Sequence, residues 1–143
     1  MKKFKYELQD ILEIRLFEQE AAEAELAKAL AVETQIQNEL DQLAVRYAAV
    51  KEQTKGSSDF QDVLSANQFY KFVDDRKEEL FARMAEAKIV SEEKRSVLNE
   101  IMKKTEALKK LKELQLSEYK KLEALEEENE ADEMNSIRYG LKK

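Results

Sequence analysis

The sequence predicts an all-α protein whose two long helices form an antiparallel two-stranded coiled-coil hairpin with arms of unequal length. Three observations predict this fold. Charged residues make up 39% of the 143 residues, a composition typical of long solvent-exposed helices. The chain has no proline and only two glycines, so it offers few places to turn. Apolar residues recur in steps of three and four along most of the chain.

The first helix is predicted over about residues 3–54. Its apolar residues alternate steps of four and three, with the mean period of about 3.5 that is typical of a coiled-coil seam. The row reads Ile36, Leu40, Leu43, Tyr47 and Val50, and it extends backwards through Ala29, Leu26, Ala22, Leu12 and Leu8, with polar residues at Glu33, Gln19 and Arg15. Near the N-terminus, a second apolar stripe contains Phe4, Ile11, Ile14, Leu16 and Phe17.

A single cluster of helix-breaking residues, "TKGSSDF" from Thr54 to Phe60, interrupts the helical pattern. Gly56 can adopt the left-handed conformation that ends a helix. Ser57 or Ser58 can then cap the next helix, with Asp59 favourable in its first turn. So short a link predicts a turn at residues 55–58 between antiparallel neighbours.

The second helix is predicted over about residues 59–139, also as a coiled-coil strand. Its predicted seam consists of two rows of seven-residue steps. The first row reads Val73, Leu80, Ala87, Lys94, Ile101, Leu108, Gln115, Leu122 and Asn129. The second, more polar row reads Phe69, Arg76, Arg83, Val90, Val97, Lys104, Leu111, Glu118 and Leu125.

The early turn makes the two predicted arms unequal within one coiled-coil domain over residues 1–143. If both helices start at the turn, their pairing ends near Leu111. Beyond it the second helix still carries apolar residues that a lone helix would expose, namely Leu114, Leu116, Tyr119, Leu122 and Leu125. Exposed apolar surface of this kind indicates a binding partner.

The composition excludes the common catalytic and metal chemistries. There is no histidine, cysteine or tryptophan, and two glycines cannot form a phosphate-binding loop. A carboxylate metal site would need a packed helical bundle, so we expect no enzyme, cofactor or metal site. The net charge of −6 disfavours nucleic acid as a ligand. No apolar run approaches the length of a membrane span and no signal peptide is evident, so the sequence predicts a cytoplasmic protein.

Three aromatic residues crowd into four positions after the turn, at Phe69, Tyr70 and Phe72. They cannot all face one seam, because neighbouring residues differ by about 100° around a helix axis. Two interpretations stay open. The cluster either packs against the first helix and the turn, or it forms a docking patch for a partner, since aromatic residues are favoured interface anchors.

The chain resembles the flagellar type III export protein family FliJ over nearly its whole length. The resemblance is carried by "FKYELQDILEIRLFEQEAAEAEL" at the start, "NQFYKFVDDRKEEL" after the turn and "KKTEALKKLKELQLSEYKKLEALEEENEADEMNSIR" at the end. It implies a coiled coil similar to the central stalk of rotary ATPases. It also implies a cytoplasmic location at the inner membrane of the flagellar base, with peripheral membrane association only through partners.

The resemblance implies several partners: a hexameric export ATPase and its regulator, the export gate membrane protein, and export chaperones. Export-gate candidates are Leu43, Phe69, Phe72 and Arg76, of which Phe72 matches an aromatic residue of the family. Arg76 departs from an aliphatic family position, and Arg46 and Val50 depart from aromatic ones. The ends of both helices are expected to bind the ATPase, with Ile11, Arg15, Leu114, Tyr119, Leu122 and Leu125 as candidates.

Other functions stay open on the sequence alone. One alternative is the stalk protein of an injectisome type III secretion system, which sequence alone separates poorly from the flagellar protein. A non-flagellar structural or chaperone coiled coil of the prefoldin type is a further alternative, although nothing between Gly56 and Asp59 can form the strands that such a subunit usually needs.

Overall fold

The computed structural model describes residues 2–141 and contains two α-helices, α1 (Gln9–Gln53) and α2 (Phe60–Leu141). No β-strand occurs among these residues. The prediction of an all-helical protein with two long helices is therefore confirmed. Three residues of the predicted 1–143 domain, namely Met1, Lys142 and Lys143, lie outside the described range.

The turn between the helices forms around Gly56, as the sequence predicts. Gly56 has a φ of 78°, in the left-handed region. The cap of α2 differs from the prediction: the Asp59 carboxylate accepts a hydrogen bond from the Gln61 amide at 3.0 Å. Asp59 is thus the capping residue rather than Ser57 or Ser58, because it is the residue directly before the first helical position.

The contacts divide the chain into two compact units, each built from parts of both helices. The central unit is Glu20–Asn99, and the terminal unit is Met1–Gln19 with Glu100–Lys143. The single coiled-coil domain stays a prediction, and each unit is described by itself.

The central unit has a continuous apolar core between α1 and α2. Its buried residues are Ile36, Leu43, Val73, Leu80 and Ala87, with Leu40, Tyr47, Phe69 and Met84 packed against them. Contacts between the helices pair Tyr47 with Tyr70, Glu39 with Arg76, and Glu25 with Lys94. Because the α1 numbers fall as the α2 numbers rise, the two segments run antiparallel in this unit. Full burial of an aliphatic side chain such as Leu80 stabilises the fold by about 1.5–3 kcal/mol.

The predicted seam of the first helix is confirmed from Leu12 to Val50, whereas its first residue, Leu8, precedes α1. From Leu8 to Val50, each residue of that row is buried or half-buried, including the polar exceptions Arg15, Gln19 and Glu33. These three carry side chains whose apolar stems can cover a seam while their polar ends reach water.

The predicted seam of the second helix is confirmed in its first row as far as Gln115 and is wrong in its second row from Arg83 onward. The first row is buried or half-buried from Val73 to Gln115, but Leu122 and Asn129 are exposed. The second row is exposed from Arg83 onward. The row that faces α1 or the N-terminal segment lies one residue further along and reads Lys77, Met84, Ser91, Leu98, Thr105, Lys112 and Tyr119.

Hydrogen bonds within α2 explain how the polar residues Ser91 and Thr105 of this observed row can be buried. Thr105 is 1% exposed, and its hydroxyl donates to the Ile101 carbonyl at 3.0 Å. The Ser91 hydroxyl donates to the Lys88 carbonyl at 3.1 Å. Both hydroxyls thus enter the seam with their hydrogen bonds satisfied, which removes most of the cost of burying them.

Candidate interaction surfaces

The central unit carries a patch of alternating charged and aromatic side chains, which we call the arginine–aromatic patch: Arg46, Phe69, Phe72 and Arg76 with the carboxylates Glu39 and Glu79. The Phe69 and Phe72 rings lie 6.4 Å apart between centroids. The Arg46 guanidinium lies over the Phe69 ring, 5.4 Å from its centroid. Phe69 is half-buried against the core, whereas 52% of Phe72 is exposed.

Arg76 is held at the edge of this patch by two carboxylates. Its guanidinium donates to Glu39 of α1 at 2.6 and 2.8 Å, and to Glu79 of α2 at 2.7 Å. The hydrogen bonds that Arg76 donates to Glu39, and then the one to Glu79, raise the pKa of Arg76. In return, the hydrogen bond from Arg76 lowers the pKa of Glu79. The ion pairs therefore fix the Arg76 side chain across both helices.

The four export-gate candidates do not all lie on this surface. Leu43 is 4% exposed and belongs to the core of the central unit, so its side chain is not offered to a partner. Its seam position in the heptad pattern already placed it inside. Phe69 and Arg76 are half-buried, and Phe72 is the candidate whose ring is mostly open to solvent.

An aromatic pair lies beside the patch, between the two helices. Tyr47 and Tyr70 have ring centroids 4.8 Å apart, and the Lys51 and Lys77 ammonium groups lie 6.0 and 5.8 Å from the Tyr47 centroid. Of the crowded aromatics after the turn, Tyr70 thus follows the packing interpretation. Phe72 leaves the docking interpretation open.

In the terminal unit, residues 2–8 precede α1 and form a non-helical segment that we call the N-terminal strap. The prediction that helix 1 begins near residue 3 is therefore wrong, since α1 begins at Gln9. The strap contacts α2: the buried Tyr6 hydroxyl donates to the Leu108 carbonyl at 2.9 Å, and the Phe4 ring lies 5.5 Å from that of Tyr119. These contacts tie the strap to α2 in place of helical hydrogen bonds.

Two further hydrogen bonds extend these contacts along α2. The Lys112 ammonium donates to the Gln9 side-chain oxygen at 2.7 Å, and the Tyr119 hydroxyl donates to the Lys2 carbonyl. Partial burial raises the pKa of Tyr119, and the Glu123 carboxylate adds to this effect. Tyr119 is thus engaged within the chain rather than open to a partner.

The other ATPase candidates divide between exposed apolar residues and one ion-paired residue. Arg15 is half-buried and pairs with Glu18 at 2.9 Å. Ile11 is exposed, as are three leucines of α2 that we call the terminal leucines: Leu114, Leu122 and Leu125. At about 100° per residue, Leu122 and Leu125 lie about 80° and 20° around the axis from Leu114, so the three share one side of α2.

Some residues of these surfaces were missed at the sequence level. Ile14 and Phe17 are more exposed than the candidate Ile11, although the sequence already showed them as a second apolar stripe. Arg46 was noted only as a departure from the family, and Glu39 was not singled out. Arg46 follows the seam residue Leu43 by three positions, and Glu39 follows the seam residue Ile36 by three. This heptad position flanks a coiled-coil seam and often carries charges that pair between helices.

The described residues contain neither a membrane-spanning helix nor a metal-binding cluster. No helix within 2–141 is long and apolar enough to cross a membrane. Within the same range, no group of three or more histidine, cysteine, aspartate or glutamate side chains is placed to hold a metal ion.

Comparison with known proteins gives one match. A family model described as Flagellar FliJ protein matches residues 4–143, which is nearly the whole chain and includes parts of both units. No curated protein and no solved structure matches the chain.

Proposed function

This chain belongs to the flagellar FliJ family, and on that premise we propose that it acts as a stalk-like coiled coil in flagellar protein export. The family consists of export components rather than enzymes. In our proposal the chain binds the hexameric export ATPase, promotes its assembly and activity, and couples it to the export gate. It also escorts export chaperones and contacts the regulator of the ATPase.

The proposed architecture is an antiparallel two-stranded coiled-coil hairpin with unequal arms. The antiparallel contacts of the central unit support it, as does the regular seven-residue spacing of both seams. In the terminal unit, Tyr6 and Gln9 contact Leu108 and Lys112 of α2, so the N-terminal strap and the start of α1 also lie against α2.

The observation that carries the proposed ATPase contact is the exposed end of α2. From Leu122 to Gly140 every side chain is exposed except that of Glu123, which is half-buried. This stretch still contains Leu122, Leu125, Met134 and Ile137, all large apolar residues. An exposed helix with repeated large apolar residues is well suited to burial in a partner. We therefore assign ATPase binding to the terminal leucines, with Ile11, Ile14 and Phe17 as the matching apolar surface of α1.

Gate binding is assigned to the arginine–aromatic patch of the central unit. Phe72 supplies an exposed aromatic ring, the kind of side chain that most often anchors an interface. These contacts would place the chain at the cytoplasmic face of the inner membrane at the flagellar base, attached through its partners.

The test of the ATPase contact is a chain truncated after Lys121, which removes two terminal leucines but keeps the contacts that Tyr119 makes with Phe4 and Lys2. We expect this chain to lose stimulation of the purified export ATPase. We also expect circular dichroism to show a loss of helix only in proportion to the deleted residues.

A double variant, Leu122→Ser with Leu125→Ser, should reproduce the loss in the full chain. The matched control is Phe81→Ser with Ile89→Ser, which removes two exposed apolar residues of the central unit. Normal ATPase stimulation by the truncated chain, or equal losses from both double variants, would contradict the assignment.

A further inference from the structure

We propose that Arg46 is a recognition residue of the arginine–aromatic patch, and that it pairs with a carboxylate beside an apolar pocket of the partner, the pocket that takes Phe72. The inference rests on the proposed function, because it takes the cytoplasmic domain of the export gate as the partner. It adds the chemistry of that partner: an acidic protein surface with an opening for an aromatic ring.

The patch contains two arginines in opposite electrostatic situations. Arg76 donates to Glu39 and Glu79, so its charge is already compensated within the chain. Arg46 is exposed and forms no ion pair with any described residue. Its defined partner is the Phe69 ring. Arg46 is therefore the cation of the patch whose N–H groups stay available for a carboxylate from outside.

The stacking on Phe69 also positions Arg46 for recognition. A guanidinium over an aromatic face is held in place by its flat side, which leaves the N–H groups at its edge accessible. The Phe69 ring is itself fixed, because it packs against the core of the central unit. Because the Arg46 side chain is already held in place, it loses less conformational entropy when a partner carboxylate binds it.

Phe72, the exposed anchor, is linked to this cation through the Phe69 ring. The Arg46 guanidinium, the Phe69 ring and the Phe72 ring form a continuous series, with 5.4 Å between the first two and 6.4 Å between the last two. A partner surface that accepts Phe72 and extends over the adjoining Phe69 ring comes within reach of Arg46. A carboxylate is the group that complements an uncompensated guanidinium, with bidentate geometry available.

The experiment measures binding of the full-length chain to the purified cytoplasmic domain of the export gate protein at several salt concentrations. We expect Arg46→Gln to weaken binding about fivefold to tenfold at about 50 mM salt and about twofold at about 500 mM, because salt screens the lost attraction. Arg46→Glu should weaken binding further, by about 30-fold, because it adds repulsion.

Two variants test whether the effect comes from the positive charge at position 46, rather than from the shape of the arginine side chain or from the net charge of the protein. Arg46→Lys keeps the cation and should lose about threefold or less, with a salt dependence close to that of the wild type. Lys88→Gln removes one charge from an exposed residue of α2 outside the patch and should bind like the wild type. Thermal unfolding of each variant checks that the helices stay intact.

The outcomes distinguish this inference from the function on which it rests. If the wild-type chain does not bind the gate domain, or Phe72→Ala binds equally well, the proposed gate contact is wrong. If Phe72→Ala loses binding but Arg46→Gln and Arg46→Glu bind normally or more tightly, the gate contact stands and the role of Arg46 is overturned. Sedimentation could instead show self-association that depends on Arg46, while gate binding does not depend on it. That result would mean that the patch binds a second copy of this chain, and it would overturn the proposal of an acidic gate surface as its partner.

Discussion

At the scale of single residues, Arg76 and Glu79 form an ion pair in the central unit that alters the titration of the carboxyl group. Arg76 lowers the pKa of Glu79 from its ordinary value of 4.5, chiefly through the hydrogen bond between them. A depressed carboxyl pKa means that the folded protein favours the charged form more strongly than the unfolded chain does. The contribution to stability is present above pH 4.5 and is lost as the pH falls through the lowered pKa.

We predict that Glu79→Gln lowers the thermal unfolding temperature slightly at pH 7. The difference from the wild type should disappear once the pH falls below the lowered pKa, and it should shrink at high salt because the pair is partly exposed. Glu78→Gln is the control, since Glu78 is exposed and makes no ion pair among the described residues. An equal temperature difference at pH 7 and at low pH would contradict the assignment of this pair.

Individual surface residues were harder to predict than seam residues. The heptad pattern of α1 placed Leu43 in the seam, yet the family resemblance made it a gate candidate, and the structure supports the pattern. Arg76 could be recognised as a departure from the family. Its pairing with Glu39 could not, because that depends on which residues of two distant segments lie opposite each other.

At the scale of elements, the turn at Gly56 and the end of α2 use glycine in opposite ways. Gly56 has a positive φ, whereas Gly140 is helical. A Cβ at either position would meet no atom within 4 Å, so only the backbone conformation distinguishes the two sites.

We predict that Gly56→Ala destabilises the protein by about 1–2 kcal/mol, the usual cost of a left-handed conformation for a residue with a Cβ. Gly140→Ala should be neutral or stabilising by up to about 0.5 kcal/mol. The interior preference of about 1 kcal/mol for alanine over glycine is reduced near a fraying helix end. Urea unfolding of both variants measures the two effects, and a neutral Gly56→Ala would show that the turn relaxes without strain.

The helices themselves were largely predictable, and the exceptions have physical causes. The row of α1 was correct because its apolar residues mark it clearly. The second row of α2 was predicted one residue too early in the sequence. The reason is that Val90, Val97 and Leu111 are apolar but exposed, whereas Ser91 and Thr105 are polar but buried. Apolar content alone could not show that local hydrogen bonds allow hydroxyls into the seam. The N-terminal strap was missed because "FKYEL" has the composition of a helix.

At the scale of the whole molecule, stability is distributed unevenly along the chain. The central unit contains the apolar core that includes Val73 and Leu80, both with no exposed surface. From Leu122 to Gly140, α2 has almost only exposed side chains. Helical segments without tertiary packing are marginally stable in water.

We predict that backbone amides of residues 122–141 exchange with deuterium much faster than those of residues 73–87 in the free protein. Hydrogen exchange read by mass spectrometry measures the difference. Addition of the export ATPase should slow exchange in residues 122–141 and leave residues 73–87 nearly unchanged. Strong protection of residues 122–141 in the absence of any partner would contradict this prediction and indicate a covered face.

The N-terminal strap has a practical consequence for how this protein is attached to other molecules. An affinity tag or fluorescent protein joined ahead of Lys2 would sit next to the Tyr119 hydroxyl and crowd the Phe4 ring. A fusion after Leu141 would instead crowd the exposed helix to which we assign the ATPase. The exposed turn at Gly56 and Ser58 offers a third place, which belongs to the central unit. A probe inserted there would leave both terminal segments unmodified for work on the ATPase.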